Sequence, residues 1–133
     1  MKLAPLLAIL VFLSAIFFGY NTRANTQEDM EVHLRAQYVS VNAQYFGDRL
    51  PEPTIHYSNL PDGRDVIGFS TDLTTNPIIY VVPKYNLKNE QADETLRHEM
   101  CHVATSYEDF DHGPAWQNCM KSLADRGAFE GIW

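Results

Sequence analysis

The stretch Leu96 to Thr105, LRHEMCHVAT, sets two histidines four residues apart with a glutamate directly after the first. On an α-helix, at about 100° per residue, His98 and His102 lie about 40° apart on one face and one turn apart along the axis, so two imidazoles can converge on one ion. Leu96, Met100 and Val103 fall about 140° or more from His98, which turns an apolar stripe to a core while the histidines look into a cleft. Only three positions of the H-E-x-x-H pattern are fixed, so a pair of solvated helix histidines is the alternative that the rest of the chain must answer. Glu99 adjoins His98 within reach of a water on a bound metal, the general-base position of zinc peptidases; taken alone it also reads as a surface glutamate on an acidic helix.

Zinc catalysis needs a third protein ligand and one open position. The metzincin extension fails here, because Thr105 stands where its glycine belongs and Glu108 where its third histidine belongs. His112, ten positions after His102 in the turn DHGP, is the expected third donor. A reversal there brings the start of the last helix back beside the motif helix, imidazole suits zinc, and Gly113 and Pro114 fix a defined turn. Glu108, Asp109 and Asp111 are the competing oxygen donors, and Asp111 can instead orient a ligand. His33, on the first helix, and His56, in the first strand, read as surface or packing residues.

Around the motif, the pattern of elements is helix, three strands, helix, helix. Thr26 and Asp29 make a weak capping box, and Met30, Leu34, Tyr38, Val41 and Tyr45 recur at helical spacing until Gly47. Pro51 and Pro53 lead into a strand expected over Thr54 to Ser58; the turn PDGRD precedes a second strand in VIGFS; NPIIYVVPKY, β-branched and aromatic between two prolines, makes a third. Asn89 is the expected cap of the motif helix, with Glu90, Asp93 and Glu94 in its first turns, where negative charge suits the helix dipole. Pro114 opens a last helix carrying Trp116, Cys119, Met120 and Leu123 before Gly127 ends it. No internal repeat or linker breaks the order, so the expected class is α+β, with helices on a small sheet, in one domain over residues 25–133.

The N-terminus, MKLAPLLAILVFLSAIFFGYNTRANTQ, has a lysine, an uninterrupted apolar run from Leu3 to Phe18 and a polar tail, and reads as an export signal over residues 1–24. Cleavage after Thr22 and Ala24, giving a start at Asn25, is preferred to an uncleaved anchor through residues 3–20, with Phe17, Phe18 and Tyr20 as an interfacial belt. The body is thus expected to be periplasmic or secreted, or held to a membrane only through that segment. In such a compartment Cys101 and Cys119 could form a disulfide; two buried free thiols are the favoured alternative. No C-x-x-C pair occurs, which excludes a zinc ribbon. With 45% hydrophobic residues the composition is that of a globular protein, and a formal net charge of -7 with a pI near 5.0 argues against general nucleic-acid affinity.

With YFGDRLPEPTIHYS, LRHEMCH and DHGPAWQNCM in that order, the chain resembles the SprT-like zinc metallopeptidase family, to which the DNA–protein crosslink protease Spartan belongs. The match runs from about Leu34 to Gly127, and its marks are Tyr45-Phe46, Leu50-Pro51, Cys101 before His102, and His112-Gly113. The resemblance implies a zincin-like fold, Zn2+ held by His98, His102 and His112, and Glu99 as general base. The export signal, the acidic balance and the lack of cysteine pairs depart from the cytosolic relatives. The expected activity is therefore a zinc metalloendopeptidase acting on protein or peptide substrates, with no nucleic acid partner. A substrate strand is expected to lie along the edge of PIIYVV, with Arg97, Tyr107 and Tyr80 as candidate oxyanion groups, each more readily read as structural. The rival readings are a DNA-associated protease of the Spartan type and a zinc-binding envelope module without turnover.

Overall fold

The computed structural model describes residues 27–71, 75–106 and 111–132, which form three helices and a three-stranded sheet, an α+β arrangement as the element order predicts. The expected signal or anchor, residues 1–24, lies outside the described residues, as do Thr26, Tyr107, Glu108 and Asp109. Among the described residues no helix is long and apolar enough to cross a membrane.

Helix α1 covers residues 27–46, and its periodic residues Leu34, Tyr38 and Val41 are buried, with Met30 and Tyr45 against the same core. It stops where Gly47 and Asp48 both take positive φ, and the Asp48 amide closes on the Asn42 carbonyl at 3.0 Å. The Leu-Pro turn is then tied back to the helix. Asn42 exchanges two hydrogen bonds with the Leu50 backbone, and the Tyr38 hydroxyl donates to the Pro51 carbonyl at 2.7 Å.

Strands β1 (Thr54–His56), β2 (Gly68–Thr71) and β3 (Ile78–Val81) assemble in the order β1-β3-β2, with β1 parallel and β2 antiparallel to β3. They are shorter than the sequence suggested. β1 ends because the Tyr57 amide turns to the Glu31 carboxylate at 3.0 Å, and Pro83 lacks the N–H that would extend β3. The expected open edge on PIIYVV is corrected by this topology: β3 is the central strand, paired on both sides, and the sheet edge beside the motif helix is β2. Ile79 and Val81 of β3 turn to the core with Ile55 of β1, so the intervening Tyr80 lies on the opposite face.

Helix α2 (Asn89–Ala104) lays Ala92, Leu96, Met100 and Val103 into this core, leaving His98 and His102 half-exposed, as the helical spacing predicts. Truncating Leu96 or Met100 to alanine there costs about 2–5 kcal/mol. Its cap is Lys88 rather than Asn89, and the Lys88 amide donates to the Gln91 side chain at 3.1 Å. Helix α3 (Pro114–Asp125) begins with proline after Gly113. It ends at Gly127, φ 83°, where the Gly127 and Ala128 amides return to the Ala124 and Leu123 carbonyls at 3.1 and 2.9 Å. Leu123, Ala128 and Phe129 close the core, and the Arg126 guanidinium donates to the Gln44 and Tyr45 carbonyls at the end of α1.

Cys101 and Cys119 are joined in a disulfide, which overturns the preference for free thiols. The reason is the way α3 folds back on α2: it brings the two Cα atoms to 5.7 Å, within the span a disulfide requires. That distance depends on the contact of two helices and has no signature in the residue spacing.

Candidate metal centre and active site

Helix α2 presents His98 and His102 one turn apart, and the reversal through Asp111, His112 and Gly113 brings His112 against them. One nitrogen from each of the three imidazoles falls within 4.8 Å of the others. The Nε2 atoms of His98 and His112 are 3.0 Å apart. Two nitrogens bound at roughly 2.0–2.1 Å to one tetrahedral ion lie about 3.3 Å apart, so the His98–His112 pair already stands near the separation a shared metal requires, with a His102 nitrogen within 4.8 Å of both. The His98 ring is crowded by burial first and then by the other two histidines, which pushes its pKa down to about 4; the His102 pKa falls for the same reasons. Both rings are thus favoured as neutral imidazoles, the form that ligates. The fold leaves the His112 turn strained but fixed: Asp111 takes a positive φ of 56°, and the Gln117 side chain donates to the His112 carbonyl at 2.8 Å. Asp111 Oδ1 stands 3.7 Å from His112 Nδ1, on the side where a carboxylate can orient that ring.

Beneath the cluster lies Trp116 of α3. Its ring centroid is 4.2 Å from that of His112, 4.7 Å from His98 and 5.6 Å from His102, and its Nε1 donates to the His98 carbonyl at 3.3 Å. One indole therefore touches all three imidazoles and ties α3 to α2.

Glu99 points from α2 toward β2 and is only 4% exposed. Its Oε2 accepts a hydrogen bond from the Ser70 hydroxyl at 2.7 Å, while Oε1 lies 4.0 Å from His98 Nε2. Ser70 pairs with the core-facing Ile79 across the ladder, and Gly68 pairs with Val81, so both face α2. Burial pushes the Glu99 carboxyl up to about 7, against the Ser70 hydrogen bond, which pulls it down. Behind it, the buried Asn86 ties the chain just before β2 and just after β3 to α2: its amide donates to the Ile67 and Val82 carbonyls, and its oxygen accepts from Thr95 of α2 at 2.6 Å. A groove of about 590 Å³ runs past this site, lined by His98, Glu99 and His112 together with Ile67, Gly68 and Met120.

Other sequence candidates fall elsewhere. Arg97 is buried and donates to the Asp93 carbonyl and to Gln37 on α1, away from the groove, and Tyr80 stacks on His56 on the far face of the sheet at 5.0 Å. Both are structural, and so are His56 in that stack and His33, paired with Asp93 at 2.7 Å. Sequence reading missed Gly68, Ser70 and the part played by Trp116. Alternation along VIGFS was the available signal for the first two, but a strand of four residues gives too few positions to tell its faces apart.

The sequence profile of the SprT-like family matches residues 22–130, and the chain belongs to that family. It thus holds a SprT-type, protease-like domain whose three histidines could hold a metal ion. No curated protein matches the chain.

Proposed function

We propose that this protein is a zinc-dependent endopeptidase in which His98, His102 and His112 hold the metal and Glu99 is the general base. The observation that carries the reading is the convergence of three imidazoles within 4.8 Å beside a buried carboxylate held by Ser70. A zinc ion held by these three histidines would supply Lewis acidity to the scissile carbonyl and to the attacking water. Glu99 takes the proton at Oε1, the oxygen nearer the histidines, while Oε2 stays tied to Ser70. The same carboxyl then delivers that proton to the leaving amine, so one side chain serves as base and then as acid. An extended peptide adds to the outer edge of β2, the strand that supplies Ser70, by backbone hydrogen bonding.

Protein or peptide, rather than nucleic acid, is the proposed substrate, in keeping with a net charge of -7. We place the domain outside the cytoplasm or on a membrane surface; the apolar run Leu3 to Phe18 and a disulfide, which persists in oxidising compartments, support this. The test is zinc analysis beside degradation of an unfolded protein such as casein. One zinc per chain with hydrolysis is expected, and His112→Ala should lower zinc affinity sharply, because two imidazoles from one helix leave the tetrahedral site incomplete. Zinc bound without hydrolysis would favour a metal-binding module instead.

A further inference from the structure

The structure assigns a positioning role to the disulfide: the Cys101–Cys119 bridge holds the start of α3 over α2 so that His112 meets the other two imidazoles. The inference rests on the zinc reading above. Cys101 is fully buried and directly precedes His102 in the chain, and Cys119 lies one turn beyond Trp116 on α3. The bridge therefore closes a loop that contains two of the three histidines, His102 and His112, and fixes the helix on either side of them.

The burial pattern of α3 shows why a covalent tie matters at this point. Within the helix only Leu123 is buried, and the core contacts that follow it, Ala128 and Phe129, come after the helix has ended. The carboxyl end is further held by the Arg126 guanidinium on α1. The amino-terminal half, which follows His112, has no fully buried side chain: Trp116, Cys119 and Met120 pack against the core only partly buried, and the bridge and the Trp116 hydrogen bond to the His98 carbonyl join it to α2. His112 itself has a side chain 45% exposed and sits in a turn rather than on a helix. The two ligands on α2 are pre-arranged by helix geometry, whereas the third depends on where α3 begins. Constraining α3 at Cys119 restricts that position; groups that orient a ligand by hydrogen bonding typically contribute about 10–100-fold to metal affinity, and the bridge, which orients His112 through the backbone, is expected to act on the same scale.

The test compares four full-length proteins: wild type, Cys101→Ser/Cys119→Ser, His112→Ala, and the three substitutions combined. Zinc affinity is measured by competition with a chromophoric chelator in thiol-free buffer, with circular dichroism and thermal unfolding as the check on folding. The serine pair should keep the wild-type helical signal and bind zinc about 10–100-fold more weakly. Adding His112→Ala to it should then cost less than His112→Ala costs in the wild type, because the bridge acts through that ligand. Ile55→Val, which thins the core at β1, should lower the melting temperature and leave zinc affinity unchanged. Wild-type affinity in the serine pair, strictly additive losses, or an affinity loss in Ile55→Val that tracks its melting temperature would each overturn the proposal. Should the serine pair fail to fold, Cys101→Ala/Cys119→Ala, which buries no hydroxyl, is judged by the same criteria. A wild-type protein that binds no zinc overturns the functional reading and this inference with it, whereas zinc binding unaffected by the bridge overturns the inference alone.

Discussion

Gly68 is where β2 comes closest to the motif helix, and Gly68→Ala probes that approach. A methyl group at this position would lie 2.6 Å from Thr95 Cγ2, 3.0 Å from Glu99 Oε1 and 3.2 Å from the Tyr80 carbonyl oxygen. None of the three yields easily. The Thr95 side chain is held by its hydrogen bond to Asn86 at 2.6 Å, Glu99 by Ser70 at 2.7 Å, and the third neighbour is backbone. The strand must therefore move outward, and overpacking of this kind costs about 1–3 kcal/mol. For a domain of roughly this size each kcal/mol lowers the melting temperature by about 4–8 °C. Glu99 is displaced with the strand, and a shift of about 1 Å in a catalytic group costs on the order of 10²-fold in rate. Denaturant unfolding and kcat/KM on an internally quenched peptide measure the two effects. Thr95→Ser removes Cγ2 and keeps the hydroxyl for Asn86, so Gly68→Ala/Thr95→Ser should recover part of the lost stability. Gly68→Ala within about 0.5 kcal/mol of wild type and fully active would refute the close-approach argument; a double variant with no recovery would refute the assignment of the clash to Thr95.

Two further outcomes follow from Glu99. Ser70→Ala removes the hydrogen bond that lowers the Glu99 pKa, so the acid limb of the pH–rate profile should move to higher pH; an unchanged limb would show that Ser70 does not act on the carboxylate. In metal-free protein, a carboxyl pushed up to about 7 binds more protons folded than unfolded between its ordinary range and pH 7, so its contribution to stability falls as pH rises through that window, by about 3 kcal/mol in all. Glu99→Gln lacks this loss and keeps an oxygen for Ser70. Metal-free Glu99→Gln should thus become progressively more stable than wild type from about pH 5 to pH 8, with His98 contributing alike to both, and parallel stability curves would contradict the burial of an ionisable Glu99.

Much of this arrangement is legible in the residues themselves. The spacing of Leu34, Tyr38 and Val41, and of Leu96, Met100 and Val103, marks the buried faces of α1 and α2 because a helix writes its period into local sequence. The same period places His98 beside His102, and Pro114 after Gly113 marks the reversal that delivers His112. What sequence does not carry is the relation between elements distant along the chain. That β3 lies between β1 and β2 depends on a parallel pairing of Thr54–His56 with a strand more than twenty residues later, and no residue of PIIYVV announces it. The Cys101–Cys119 bridge and the seat of Trp116 under three imidazoles depend likewise on how α3 crosses α2. Ser70 and Gly68 are ordinary strand residues until the register with Ile79 and Val81 turns them toward Glu99.

The proposed mechanism has Glu99 moving protons at a zinc site built by His98, His102 and His112. Zinc content and casein hydrolysis, measured side by side on wild type and Glu99→Gln, both loaded with zinc, separate the proton carrier from the metal ligands. Removing a general base costs on the order of 10² to 10⁴ in rate, so the variant should hold one zinc per chain as the wild type does and lose nearly all hydrolysis. A variant that keeps its metal and full activity would contradict the mechanism.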